Sequence, residues 1–98
     1  MDNLHVVNNK QNLRYEIDLG DEKGYLEYRW HKGELALMHT FVPEKFEGKG
    51  IAGLLAKTAL EYAKDEGLKI LVYCPFVSSY IKRHPEYEVL KEKKPPQQ

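Results

Sequence analysis

The hydrophobic period of this chain changes across one glycine-bearing junction, and that change limits the folds open to it. Between residues 13 and 30 apolar side chains recur at every second position, and after Gly50 they recur every three to four. Strands alternate faces with a period of two and helices with a period of 3.6. A sheet must therefore give way to a helix across Pro43-Glu44-Lys45-Phe46-Glu47-Gly48-Lys49-Gly50. With 98 residues in total, there is room for one such arrangement and one modest core.

Residues 4–7 form a short apolar run, and the asparagine-rich stretch 8–12 suits a loop. In residues 13–19, Leu13, Tyr15, Ile17 and Leu19 share one face, and Arg14, Glu16 and Asp18 share the other. Residues 25–30 alternate again, with Leu26, Tyr28 and Trp30 opposite Glu27 and Arg29. Lys32-Gly33 makes a tight connection into residues 35–42, which are apolar almost throughout. Such a run predicts a central strand covered on both faces, closed by Pro43. The expectation is an antiparallel meander of three or four strands.

A helix is expected over residues 49–66, because Ile51, Leu55, Ala59 and Ala63 are spaced by four. Leu54 and Tyr62 widen that stripe, and Lys57, Glu61 and Lys64 mark the solvated face. Gly67-Leu68 reads as a helix stop, and residues 70–74 read as a strand reached by a parallel crossover. Val77, Tyr80 and Ile81 suit one face of a short helix, ended at His84-Pro85. Residues 91–98 are charged and proline-bearing, so a disordered tail is expected beyond a single domain over residues 1–90. The fold class is α/β of the mixed α+β kind: a twisted mixed sheet with an antiparallel meander, a β-α-β crossover and a short C-terminal helix.

Composition removes several function classes. Fifteen basic residues balance fifteen acidic ones, so the attraction that nonspecific nucleic-acid binding needs is missing. No apolar stretch approaches a membrane span, and the start lacks a basic segment followed by an apolar one. A cytoplasmic monomer without nucleic-acid or membrane partners is expected. Cys74 is the sole cysteine, so an intramolecular disulfide and a cysteine metal cluster are excluded. His5, His31, His39 and His84 fall in unrelated elements without ligand spacing, and no metal is expected.

The junction carries the chemistry. Gly48 and Gly50 remove side chains where the backbone turns into the helix, leaving unpaired N–H groups at the positive end of its dipole. Such a loop suits a diphosphate; alternatively, the glycines only shape a strand-to-helix turn. The nucleotide-hydrolysing P-loop pattern is missing, and the dinucleotide fingerprint fails because Gly53 comes one place early.

Glu47-Gly48-Lys49-Gly50-Ile51-Ala52 resembles the signature of the GNAT acetyltransferase superfamily, Gln or Arg followed by x-x-Gly-x and then Gly or Ala. His39-Thr40-Phe41-Val42-Pro43 before it resembles a small stand-alone branch, the YjdJ-type GNAT-like domains. Cys74-Pro75-Phe76-Val77 with Tyr80-Ile81, and Arg83-His84-Pro85-Glu86-Tyr87, look like the same branch. The resemblance spans roughly residues 13–90. It implies a GNAT-like fold and a protein that binds acetyl-CoA, or coenzyme A, as co-substrate and passes its acetyl group to an unidentified amine. It further implies that Glu47, Gly48, Lys49, Gly50, Ile51 and Ala52 surround the diphosphate. Backbone groups near Phe41 and Val42 would bond the pantetheine amides, and Cys74, Phe76 and Tyr80 would border the arm. Glu47 stands where the superfamily has Gln or Arg, so it is expected to turn outward, leaving contact to backbone N–H groups and a screened charge to Lys49.

Two residues are candidates for catalysis. Cys74, beside a proline near a helix start, would relay the acetyl group as a thioester, or is an inert buried thiol. Tyr80 would act, by resemblance, as general acid to the departing thiolate, or packs beside Val77 and Ile81. His39 reads as a core histidine in preference to a general base, and His84 either borders the co-substrate or ends a helix. Three functions remain open: an N-acetyltransferase, a coenzyme A-binding module without turnover, and an interaction domain whose glycine loop is structural.

Overall fold

The computed structural model describes residues 4–91. Strands β1 (Val6–Asn9), β2 (Arg14–Asp18), β3 (Lys23–His31) and β4 (Glu34–Phe41) form the expected antiparallel meander. Helix α1 (Ile51–Asp65) then crosses over to β5 (Ile70–Val72), which pairs parallel with β4. The five strands lie in sequence order in one sheet. Helix α2 (Pro75–Arg83) and a 3-10 segment (Pro85–Leu90) follow β5, and a further 3-10 turn (Glu44–Phe46) lies in the junction. The turn between β3 and β4 uses Lys32 and Gly33 at φ of 52° and 81°, the paired left-handed conformation that matches strand twist.

One face of the sheet packs on the helices. Tyr15, Ile17, Leu26, Tyr28, Leu35 and Leu37 meet Ile51, Leu55, Ala56, Ala59, Leu60 and Ala63 of α1 in one buried cluster, which Val77, Ile81 and Tyr87 close. Ala56 and Leu60 widen the buried stripe, while Leu54 and Tyr62, expected in that role, are half-buried at its margin. Alanine at 56, 59 and 63 lets the helix approach closely. Gly24 does the same from the sheet side, since a Cβ there would lie 3.3 Å from the Phe41 carbonyl oxygen and 3.4 Å from Ile51.

β4 departs from the sequence reading. Glu27 pairs with His39 and Tyr28 with Leu37, so Met38 is an extra residue that bulges the strand. Only Leu35, Ala36 and Leu37 are buried in the run expected to be covered on both faces. The bulge reverses the pleat: Thr40 stands opposite Leu26, whose side chain is in the core, while His39 and Phe41 fall on the far face, where both rings meet Tyr25. His39 is therefore exposed, contrary to its reading as a core histidine.

Other expectations are corrected by specific contacts. Glu16, assigned to a polar face, is buried, because Arg14 and Lys23 pair with its carboxylate and Asn9 donates to it. Glu61, assigned to solvent, is half-buried and accepts a 2.5 Å hydrogen bond from the Tyr87 hydroxyl. Helix α1 begins at Ile51 rather than 49, since Gly48 and Gly50 hold φ of 80° and 81° and cannot belong to it. The helix stops as read: Gly67 takes φ of 68°, and the Leu68 N–H returns to the Ala63 carbonyl. Lys91 pairs with Ile70 in an isolated parallel bridge; the remainder of the expected tail, residues 92–98, lies outside the described residues.

Candidate functional site

The bulge at Met38 and the end of β5 together open a cleft. The β4–β5 ladder stops at Leu37 and Val72, and the Leu37 carbonyl takes the N–H groups of both Tyr73 and Cys74 at 2.9 and 3.0 Å. β4 runs on to Phe41, so past Leu37 its edge has no strand beside it among the described residues, and ladder groups there are available to a ligand. The chain then turns through Pro43 and the 3-10 turn, where the N–H groups of Phe46 and Glu47 bond back to Pro43 and Glu44. A cleft of about 530 Å³ results. Thr40 and Val42 form one wall, Phe46, Glu47, Gly48 and Gly50 the lip, Ile51, Ala52 and Gly53 the floor, and Phe76 and Arg83 of α2 the far wall.

The start of α1 is built to receive an anion. Gly50 caps the helix in the left-handed conformation without a side-chain hydrogen bond, and the first turn holds no acidic residue. The Leu54 N–H already bonds to the Gly50 carbonyl, whereas the N–H groups of Gly50, Ile51, Ala52 and Gly53 meet no acceptor among the described residues. A Cβ at Gly48 or Gly50 would meet nothing within 4 Å. The glycines are thus required by backbone angle, and the space over the donors is open. Four unpaired donors and the positive end of a 15-residue helix face it together.

Of the residues expected around the co-substrate, Val42, Glu47, Gly48, Gly50, Ile51, Ala52 and Phe76 line the cleft. Phe41, Lys49, Cys74 and Tyr80 do not. The Phe41 side chain lies on the opposite face of the sheet, 5.4 Å from the Tyr25 ring, while its neighbours Thr40 and Val42 line the cleft. Glu47 is exposed yet sits at the lip. Cys74 precedes α2 as its N-cap residue and is 2% exposed. Its Sγ lies 3.1 Å from the Thr40 hydroxyl, which links the thiol to the wall of the cleft. Tyr80 is 7% exposed and stands edge-on to the His84 ring with centroids 4.1 Å apart. Burial, reinforced by the Glu86 charge, raises the pKa of its hydroxyl above the ordinary phenol value.

Four lining residues escaped sequence reasoning: Thr40, Phe46, Gly53 and Arg83. Thr40 precedes Val42 by two and shares its side of the strand, a signal that the period supplied. Arg83 follows Phe76 by seven residues, two helical turns, so both fall on one face of α2. Among the described residues no cluster of His, Cys, Asp and Glu is placed to hold a metal ion, and no helix is long and apolar enough to cross a membrane.

The meander, the crossover and the glycine-lipped cleft define a GNAT-like α/β domain. Residues 14–90 match the family described as GCN5-related N-acetyl-transferase, and the chain belongs to that family. Among curated relatives, protein NATD1 of mouse (Mus musculus) is 30% identical over 95 residues, spanning 94% of this chain and 86% of the mouse protein. NATD1 of zebrafish (Danio rerio) is 34% identical over 89 residues, spanning 86% and 81%. A GCN5-like protein from Staphylococcus aureus, solved in solution by NMR, superposes with a TM-score of 0.72 at 22% identity, covering 97% of this chain and 94% of that one. That likeness is one of fold.

Proposed function

We propose that this domain binds acetyl-CoA in the cleft and acts as an N-acetyltransferase on an amine. The observation that carries the reading is the set of unpaired N–H groups from Gly50 to Gly53, opening onto a cleft continuous with the free edge of β4. The donors suit the diphosphate, the edge suits the amides of pantetheine, and Phe46 and Phe76 supply apolar walls. In the transfer, the lone pair of the amine attacks the thioester carbonyl carbon, the C–S bond breaks, the nitrogen gives up one proton to solvent, and the departing thiolate takes one up. A Tyr80 hydroxyl whose pKa is raised by burial stays protonated at neutral pH and suits a donor role once the ligand settles. Calorimetric titration with coenzyme A and acetyl-CoA tests binding; heat at micromolar to millimolar ligand is expected, and none at millimolar ligand would overturn the reading.

A second reading, binding without turnover, is favoured by one observation: neither Cys74 nor Tyr80 lines the cleft, and both are buried. Mass spectrometry after incubation with acetyl-CoA and a mixture of polyamines and peptides separates the two, since turnover marks an enzyme. A relay through Cys74 would add one acetyl mass to the intact protein, and Cys74→Ala would abolish transfer. Direct transfer would survive Cys74→Ala and suffer more from Tyr80→Phe.

A further inference from the structure

We propose that Arg83, from the last turn of α2, supplies the charged contact to the coenzyme A diphosphate in this cleft, in place of the side chain that the glycine loop lacks at Glu47. The inference rests on the acetyl-CoA reading above. The loop offers N–H donors but places no cation at the cleft, where its own charged residue is Glu47, an acid. Among the described residues, Arg83 is the one basic residue that lines the cleft, and it faces the same space as Gly48, Gly50 and Gly53.

The other cations nearby are committed elsewhere or absent from the lining. Lys45 lies 3.3 Å from Glu22 and 3.8 Å from Asp21, and Lys49 does not border the cleft. Arg14 and Lys23 are held by Glu16 on the sheet. Arg83 makes no ion pair and no side-chain hydrogen bond with the described residues, so all its donors are available. A guanidinium presents two parallel N–H groups to a phosphate, a geometry that an ammonium does not reproduce. The diphosphate is the group concerned, rather than the 3′-phosphate, because the glycine loop and the guanidinium share one cleft.

Calorimetry on the whole chain with coenzyme A and with 3′-dephospho-coenzyme A tests this. Arg83→Gln should weaken both ligands by about tenfold or more and leave a shallower dependence on salt. Arg83→Lys, which keeps the charge but not the fork, should recover part of that loss, and thermal melts of each variant separate lost charge from lost fold. Arg83→Gln binding both ligands within about twofold of the wild type would overturn the inference alone. A loss confined to coenzyme A, spared in the dephospho form, would overturn the assignment to the diphosphate. Absence of heat from the wild type would remove the acetyl-CoA reading, and this inference with it.

Discussion

Glu47 and Arg83 reach the same cleft with opposite charges, and only one of them suits an anionic ligand. The carboxylate is exposed, so water and salt weaken its repulsion of a diphosphate without removing it. Glu47→Gln should therefore tighten coenzyme A binding about threefold at low ionic strength, and the gain should fade as salt is raised. A titration series over salt concentration checks both halves of the expectation. Glu47 was expected to turn outward, and it is exposed while its residue borders the cleft; that place depends on the 3-10 turn that ends there, and no periodicity in the sequence announces a turn of three residues. Arg83 was invisible for a related reason. Its helical face could be counted from Phe76, but which wall of the molecule that face meets depends on how α2 packs.

At the scale of elements, the start of α1 depends on backbone angle. Gly50 at φ of 81° precedes the helix, and a side chain there costs about 1–2 kcal/mol even though the space is open. Gly50→Ala should lower the melting temperature by at least 4 °C and weaken coenzyme A binding, because Ala would favour helical angles and withdraw N–H groups from the cleft. Melting and calorimetry on the one variant measure both effects, and an unchanged affinity would show that the donors do not depend on that angle. The alternation at Tyr15, Ile17, Leu26 and Tyr28 and the four-residue spacing from Ile51 to Ala63 made the meander and the main helix legible in the sequence. The bulge was not legible, because Met38 is apolar and made residues 35–42 look like one uninterrupted strand. The helix start was misplaced by two for the opposite reason: Lys49 fits a helical pattern, but the left-handed glycines on either side of it do not.

At the scale of the whole molecule, stability should depend on acid through Glu16. Burial alone would raise the pKa of its carboxyl, but hydrogen bonds from Asn9 and Arg14 and the charges of Lys23 and Arg14 outweigh that and hold it below the ordinary value of 4.5. A depressed folded pKa contributes stability that is fully present above 4.5 and is lost as pH falls through the folded value. Glu16→Gln should cost about 1.5–3 kcal/mol at neutral pH and flatten the acid limb of the stability profile. Urea unfolding of both proteins from pH 7 down to 3 checks this; parallel acid limbs would assign the loss to other groups. The C-terminal segment is fastened in a comparable way. His84 stands against Tyr80, the Tyr87 hydroxyl reaches Glu61 on α1, and the Lys69 ammonium donates to the Val89 carbonyl. The block from Arg83 to Tyr87 thus divides its work, with Arg83 at the cleft and the residues after it holding α2 on the core.

Met38 gives β4 two different sets of obligations. Up to Leu37 the buried side chains are fixed by the core they pack against, whereas Thr40 and Val42 are half-buried and also border the cleft. Substitution at Thr40 or Val42 thus alters the shape offered to a bound molecule at less expense to the interior than substitution at Leu35 or Leu37, so the inserted methionine grades tolerance for new chemistry against tolerance for unfolding along a single stretch of chain.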